Sequence, residues 1–282
     1  MSFSADWLAL RERYDRSARN RDVLGRVAGA FVGNPAVAIV DLACGTGATL
    51  RAVAPHLPAR QTWRLADNDL GLLARAAATE RPAQAVVSPM PLDLARDLEA
   101  ALDGPLDLVT ASALLDLVSA AWLERFAVET AARRLPVYAA LIYDGRVALD
   151  PADPFDTAVV GAVNRHQRRD KGFGPALGPA AAAAAVARFA EIGYEVVQGE
   201  SDWVLGAADS EMQREVLSGW ATAARELGEL ALADLVAWLT RRRDLIEAGR
   251  AGMRVGHVDF FAWPIVTRRA ERSQSNSTSS PS

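Results

Sequence analysis

The stretch Val37 to Ala48, VAIVDLACGTGA, constrains the fold of this chain more than any other. Four apolar residues run into Asp41. A turn of small residues with Gly45 and Gly47 comes next, and Ala48-Thr49-Leu50 opens a helical pattern. A buried strand, a tight glycine turn and a helix start, in that order, bind a nucleotide-like group at the edge of a parallel sheet. Glycine tolerates positive φ in such a turn and lets a ligand reach bare backbone. Taken alone, G-x-G is only a turn, so the weight rests on partner residues at fixed distances along the chain.

Trp63-Arg64-Leu65-Ala66 reads as a second short strand ending at Asp67, twenty residues after Gly47. A carboxylate at that distance can accept both ribose hydroxyls of an adenosine. Asp93-Leu94 comes after the apolar run Ala85-Val86-Val87, and Leu106 to Ser112 is a further buried strand with small polar residues at its end. With these partners the chain resembles the class I S-adenosylmethionine-dependent methyltransferases over roughly residues 37 to 143, through DLACGTG at 41–47, LADND at 65–69, the acid at 93 and DLVTAS at 107–112. The resemblance implies S-adenosyl-L-methionine as cofactor. The turn with Asp41, Ala43, Gly45 and Gly47 would pack against its methionine part. Asp67 with Asn68 would hold the ribose, Asp93 with Leu94 would meet the adenine, and Ser112 would lie on the same edge. A dinucleotide-binding oxidoreductase is the rival reading, but the third glycine of G-x-G-x-x-G is replaced by Leu50. No diphosphate needs a cradle in S-adenosylmethionine. The plain alternative is that the glycines form only a turn and Asp67 only ends a strand.

The rest of the chain supports alternation of strands and helices. Residues 5 to 32 are amphipathic and helical. Helices are expected over Leu70 to Glu80, Leu92 to Leu102 and Ala120 to Arg134, and a fifth strand over Val137 to Tyr143. Strands separated by such stretches form right-handed crossovers and a parallel sheet, with ligands beyond the carboxyl ends of the strands. The expected class is α/β, a Rossmann-like methyltransferase fold. Its seven-stranded sheet is mostly parallel with the last strand antiparallel, helices lie on both faces, and there are lid insertions. A single domain would span 1–266, with cap helices over 1–34, a hairpin and loop insertion over 144–178 and a helical insertion over 207–252. Asp144-Gly145 carries the hairpin expectation, since type I′ turns favour Asp before Gly. Pro179 and Gly193 bracket an Ala-rich helix over 180–192. Glu195-Val196-Val197 with Asp202 to Leu205 form the sixth strand. The last strand, Val255 to Ile265, would insert antiparallel between the fifth and sixth, as in the family. The family joins its last two strands by a short hairpin, so the helical stretch 209–249 reads as part of a substrate lid. Residues 267–282, rich in Ser, read as a disordered tail.

Composition excludes several classes. The net charge of -4 gives no basic footprint for nucleic acid. The one cysteine, Cys44, forms no internal disulfide and no Cys-based zinc cluster, and it reads as a small buried residue. No metal site is expected. MSFSADWLALRERYDR lacks a charged start and an apolar core, so no signal peptide is read there, and no apolar run nears the ~20 residues of a membrane span. The expectation is a cytoplasmic protein of unstated oligomeric state.

Methyl transfer needs in-line placement and a dry site, and some acceptors also need a base. The segment Asn164 to Pro175 gathers acids, bases, glycines and Lys171, the only lysine of the chain. His166, with an ordinary pKa near neutrality, is the candidate base. Lys171, Arg165, Arg168 or Arg169 would anchor a carboxylate- or phosphate-bearing acceptor. The structural alternatives are a packed histidine and a solvated charge run. His257, between apolar residues, reads as a core or rim histidine. Tyr14 and Arg19 are candidates to fold over the cofactor. Thr110-Ala111-Ser112-Ala113 differs from the Asn/Asp-Pro-Pro-aromatic sequence of enzymes acting on nucleic-acid bases or protein amides, so a small-molecule acceptor is expected. The alternative from another class is a non-catalytic cofactor-binding or partner subunit with the same fold.

Overall fold

The structure, a computed structural model, describes residues 4–265, so the tail expected at 267–282 lies outside the described residues. Two helices, α1 (Ala5–Ala18) and α2 (Arg21–Ala30), precede β1 (Val37–Leu42). Next come α3 (Ala48–Val53), β2 (Gln61–Asp67), α4 (Leu70–Ala77), β3 (Ala85–Pro91), α5 (Leu98–Ala101), β4 (Leu108–Ser112), α6 (Ala120–Ala132) and β5 (Val137–Asp150). The remainder is α7 (Asp156–His166), α8 (Ala181–Glu191), β6 (Tyr194–Glu200), β7 (Trp203–Leu205), α9 (Ser210–Leu227), α10 (Leu232–Glu247) and β8 (Gly252–Pro264).

The strands join in one sheet of order β3-β2-β1-β4-β5-β8-β6, with β7 paired to β8. Pairs among β1 to β5 are parallel, whereas β8 runs antiparallel to β5, β6 and β7. Each face of the parallel part is covered by helices, which is why its strands read as continuous apolar runs. Val23, Val27, Leu50, Val53 and Leu73 bring α2, α3 and α4 onto one face. Leu98, Phe126, Ala185 and Phe189 bring α5, α6 and α8 onto the other. A third apolar cluster joins α7, α9 and α10 to Tyr143, Trp203, Met253 and Val255, beyond the parallel part. Trp238 and Arg242 of α10 both bind the Asp156 carboxylate at the start of α7, Trp238 at 2.8 Å, which ties the insertion together.

Three local expectations are corrected. The hairpin at Asp144-Gly145 does not form, because β5 continues through it to Asp150 with β8 alongside throughout. The register slips between Tyr143 and Val147, so the Asp-Gly pair is absorbed as a bulge, with Gly145 at φ +83. A Cβ at Gly145 would lie 2.9 Å from Pro179 Cβ, so only glycine fits. The helix expected over 92–102 shrinks to α5, because Asp93 Oδ1 accepts from Ala95 N at 3.0 Å and holds a turn ahead of it. The sixth strand divides into β6 and β7, which lie on successive parts of β8 and make the sheet eight-stranded.

Candidate active site

The carboxyl ends of β1, β2, β3 and β4 converge on a cavity of about 310 Å³. After β1 the chain turns through Ala43 and Gly45 at φ +52 and +53, and Gly47 at φ +82 caps α3. The turn is latched from β2, where Asp67 Oδ2 accepts from Gly45 N at 2.8 Å and Asp67 Oδ1 from Asp69 N at 2.9 Å. Asp69 in turn caps α4 through Gly71 N and Leu72 N. Ala43, Gly45, Asp67 and Asn68 line one side of the cavity, and Asp93, Leu94 and Ser112 line the rest of the strand edge. Trp122 Nε1 donates to Leu94 O at 2.7 Å and fixes that segment.

Two of the expected cofactor residues sit elsewhere. Gly47 faces α4, where an added Cβ would lie 3.4 Å from Ala76, so its role is helix packing. Asp41 is fully buried under the turn. Its Oδ1 accepts from Thr110 Oγ1 at 2.8 Å, and Oδ2 has no hydrogen-bond partner among the described residues. Burial raises Asp41 to about 7, against the pull of the Thr110 hydroxyl and the Arg19 guanidinium. The folded protein thus keeps a proton that the unfolded chain releases near 3.8, and this group's contribution to stability falls as pH rises from about 4 to about 7. Asp41→Asn is therefore expected to lose less stability than wild type across that window, checked by denaturant midpoints at several pH values. Cys44 is buried and its thiol is pushed up by that burial, in keeping with a packing role.

The N-terminal helix closes the cavity, but through Leu8 and Arg11. A Cβ on Gly45 would meet Leu8 Cδ1 at 3.2 Å. Tyr14, expected over the cofactor, instead donates to Asp209 at 2.9 Å and packs with the insertion. Arg19 passes beneath the turn, giving Nη2 to Ser112 Oγ at 2.9 Å and Nη1 to the Tyr138 hydroxyl at 3.2 Å.

A second cavity of about 590 Å³ adjoins the first, and Arg11, Ala113, Leu117 and Lys171 line both. Its walls come from α1, the turn after β4, the bulged part of β5, α7, α9 and β8. The structure brings His166 and Lys171 together here. Both are buried, and Lys171 Nζ lies 3.3 Å from His166 Nδ1. His166 Nε2 lies 3.0 Å from Glu226 Oε2 on α9. An ammonium only donates and a carboxylate only accepts, so the Nε2–H tautomer satisfies both contacts. The free lone pair expected of His166 as a base is thus taken up inside the protein. Lys171 lies below its ordinary value, chiefly through burial and then the nearby Arg169. Of the cations expected to anchor an anion, Arg165 binds Glu229 and Arg169 the Glu226 carbonyl, whereas the exposed Arg168 side chain makes no hydrogen bond among the described residues.

His257, read from sequence as a core or rim residue, lines this cavity opposite Tyr143 in the β5–β8 register. Its Nδ1 lies 3.1 Å from the Val255 carbonyl, which can only accept, so Nδ1 carries the proton and Nε2 keeps its lone pair. Burial lowers His257 to about 4, with the Arg11 charge acting the same way. Asp116 and Arg11 carry no signal in the sequence. Asp116 sits in a turn after β4 with no local motif, and burial raises it to about 6. Arg11 lies in an ordinary amphipathic helix, and only the packing of α1 over both cavities gives it a place.

Among the described residues no group of three or more His, Cys, Asp or Glu is placed to hold a metal, and no helix is long and apolar enough to cross a membrane. No protein-family profile matches the chain, and neither does any curated relative. Among solved structures, a cyclopropane synthase from Mycobacterium tuberculosis is similar at 11% identity, covering 93% of this chain and 94% of that one, with a TM-score of 0.47. A SAM-dependent methyltransferase from Thiobacillus denitrificans, solved with S-adenosyl-L-homocysteine, is similar at 14% identity over 93% of this chain and 99% of its own, with a TM-score of 0.44. The YcgJ protein of Bacillus subtilis matches at 14% identity, 88% and 100% coverage and a TM-score of 0.48. These likenesses are distant, and it is the strand order β3-β2-β1-β4-β5-β8-β6, with β8 antiparallel, that gives this chain the class I methyltransferase fold.

Proposed function

We propose that the protein is an S-adenosylmethionine-dependent methyltransferase acting on a small molecule. The observation that carries this reading is the pair of adjoining cavities, one at the strand edge behind the glycine turn and one under the insertion. The first suits the cofactor by its donor set. Two carboxylates, Asp67 and Asp93, line it and would accept from the hydroxyls and an amino group of the cofactor, and Leu92, Leu94 and Phe173 would offer apolar faces to its purine. Phe173 is fixed by an edge contact to Trp122 at 5.5 Å between ring centres, and its loop by Asp170 Oδ1, which accepts from Gly172 N and Gly174 N.

When bound, S-adenosylmethionine would supply an electrophilic methyl carbon on a cationic sulfur. The protein's part is to hold both reactants in line and to exclude water. Helix α9 contributes Val216, Trp220 and Ala223 to the second cavity, so the insertion serves as an inner wall. That placement favours a catalytic protein over a partner subunit, which would turn the insertion outward. A cavity of about 590 Å³ suits a small acceptor. The dinucleotide reading is disfavoured because Leu50, at the third glycine position, is fully buried in the core.

The test is calorimetric titration of the wild-type protein with S-adenosylmethionine, S-adenosylhomocysteine and NADH. Binding of the first two without the third is the expected result. Binding of NADH alone, or of none, would overturn the reading.

A further inference from the structure

Four residues line both cavities, Arg11, Ala113, Leu117 and Lys171. With a methyl donor in the first cavity and an acceptor in the second, the methyl carbon would cross at these side chains. An acceptor that carries hydrogen on its attacking atom must lose it there, and the proton needs a base within reach. Ala113 and Leu117 have no titratable group. Arg11 forms a two-point ion pair with Asp15 and stacks on Trp203 at 4.9 Å, and a guanidinium is not deprotonated in a protein. Lys171 is the one side chain of the four that can offer a lone pair. The other titratable groups each line a single cavity, Asp67 and Asp93 the first, Asp116, His166 and His257 the second.

The Lys171 amine is held by a hydrogen, not by its lone pair. Nζ lies 3.3 Å from His166 Nδ1, and Glu226 on His166 Nε2 keeps Nδ1 an acceptor, so the contact uses one N–H. A neutral amine keeps a second N–H and its lone pair. Lys171 is 8% exposed, and burial disfavours the ammonium. Arg169, on the same loop, acts the same way, while Glu226 of α9 and Asp116 after β4 favour the charge. Burial and Arg169 outweigh the two acids, and Arg11 shares the junction as a further cation. A desolvated lysine of this kind can serve as a general base.

We propose that Lys171 is the base of the reaction and takes the hydrogen of an O–H, N–H or S–H acceptor where the two cavities meet. This role rests on the methyl-transfer reading and adds to it a catalytic group and a requirement on the acceptor. One proton moves. The bond from hydrogen to the acceptor atom breaks with its electron pair left on that atom, and a new N–H bond forms on Lys171. The ammonium gives the proton to water after the product leaves. An anchor for an anionic acceptor would instead stay an ammonium throughout.

Lys171 is the only lysine of the chain, so full-length protein labelled with carbon-13 at lysine Cε gives a single lysine resonance that reports its titration. S-adenosylmethionine and S-adenosylhomocysteine are a matched pair of probes, alike except for the methyl group and the positive charge on sulfur. With the first bound, Lys171 is expected to lose its proton at least about tenfold more readily than with the second, and to be mostly neutral at about pH 8. By linkage, S-adenosylmethionine should release a proton on binding near that pH that S-adenosylhomocysteine does not, read by calorimetry in two buffers of different ionisation enthalpy. Lys171→Met should abolish that extra proton and still bind S-adenosylhomocysteine. A Lys171 that stays protonated at about pH 8 in the S-adenosylmethionine complex would overturn the base in favour of an anion anchor. Equal titration in the two complexes, or extra proton release undiminished in Lys171→Met, would overturn it by removing the amine from the path of the methyl group. Should the variant fail to fold in a thermal melt, the carbon-13 titration decides alone. Failure of both sulfur ligands to bind wild type would strike the methyltransferase reading instead, so the two failures are told apart.

Discussion

Asp259→Ala is expected to lower the unfolding free energy by about 3–5 kcal/mol, the usual result of leaving a buried charge without its partner. Asp259 is fully buried in β8 and accepts from Leu141 N at 2.7 Å, Asn20 N at 3.0 Å and the Tyr138 hydroxyl at 3.3 Å. Burial raises its carboxyl above the ordinary value, and the neighbouring Arg19 charge and these donors pull the other way. Arg19 is itself buried, and its Nε has no hydrogen-bond partner among the described residues. Without the carboxylate the guanidinium keeps only hydroxyl partners by hydrogen bond, at Ser112 and Tyr138. The loss is also local. Leu141 stands at φ +56, a region costly for a branched side chain, and Asp259 is the group that holds its N–H. Asp259→Asn, which keeps an acceptor but not the charge, should fall between alanine and wild type. Urea unfolding of the three proteins at pH 7 checks the order, and an alanine variant within about 1 kcal/mol of wild type would sink the account.

Asp67→Ala should cost at least about a hundredfold in affinity for S-adenosylhomocysteine. Two charge-assisted hydrogen bonds at about 1.5–3 kcal/mol each are removed, and about 1.4 kcal/mol is worth a factor of ten. A carboxylate offers roughly four lone-pair positions. In Asp67 the backbone N–H groups of Gly45 and Asp69 take two of them, leaving the others toward the cavity. On the proposed cofactor reading the residue would act twice, as ribose acceptor and as latch of the glycine turn. Asp67→Asn retains one acceptor oxygen and is expected to lose less. Calorimetry on both variants, with thermal melts to confirm folding, separates the two contributions. An alanine variant that binds within about threefold of wild type would remove Asp67 from the cofactor site.

Where the signal was local, the sequence foretold the structure. The glycine turn, Asp67 at the end of β2, and the apolar runs of β1, β4 and β5 carry their own patterns, and they fell where those patterns put them. β3 was legible only over its first three residues, because it continues through Pro89 to Pro91 as an edge strand, where a missing N–H is tolerated. Asp144-Gly145 carried a genuine turn signal. Its fate as a bulge was set by β8, more than a hundred residues away in sequence. His257 shows the same limit. Alternation in VGHVDFF placed it among apolar neighbours, yet its open nitrogen comes from the hydrogen bond to Val255 and from facing Tyr143 across the strand pair. His166 and Lys171 stand out in sequence by residue type alone. The Glu226 contact that occupies His166 arrives from α9, whose docking no local pattern announces.

The insertion of β8 between β5 and β6 has a consequence for how the molecule is made. Synthesis delivers residues 37 to 143 first, and these can pair as a parallel half-sheet around the glycine turn. Among the described residues the next two strands, β6 and β7, find their only sheet partner in β8, which leaves the ribosome after both. Until then β5 presents an open edge, the kind of surface that invites pairing with another nascent chain. The strand edge with the glycine turn is thus vectorially first, and the β8 wall of the second cavity last. A ribosome stalled before residue 252 would carry a chain with its glycine turn in place and the second cavity without its β8 wall.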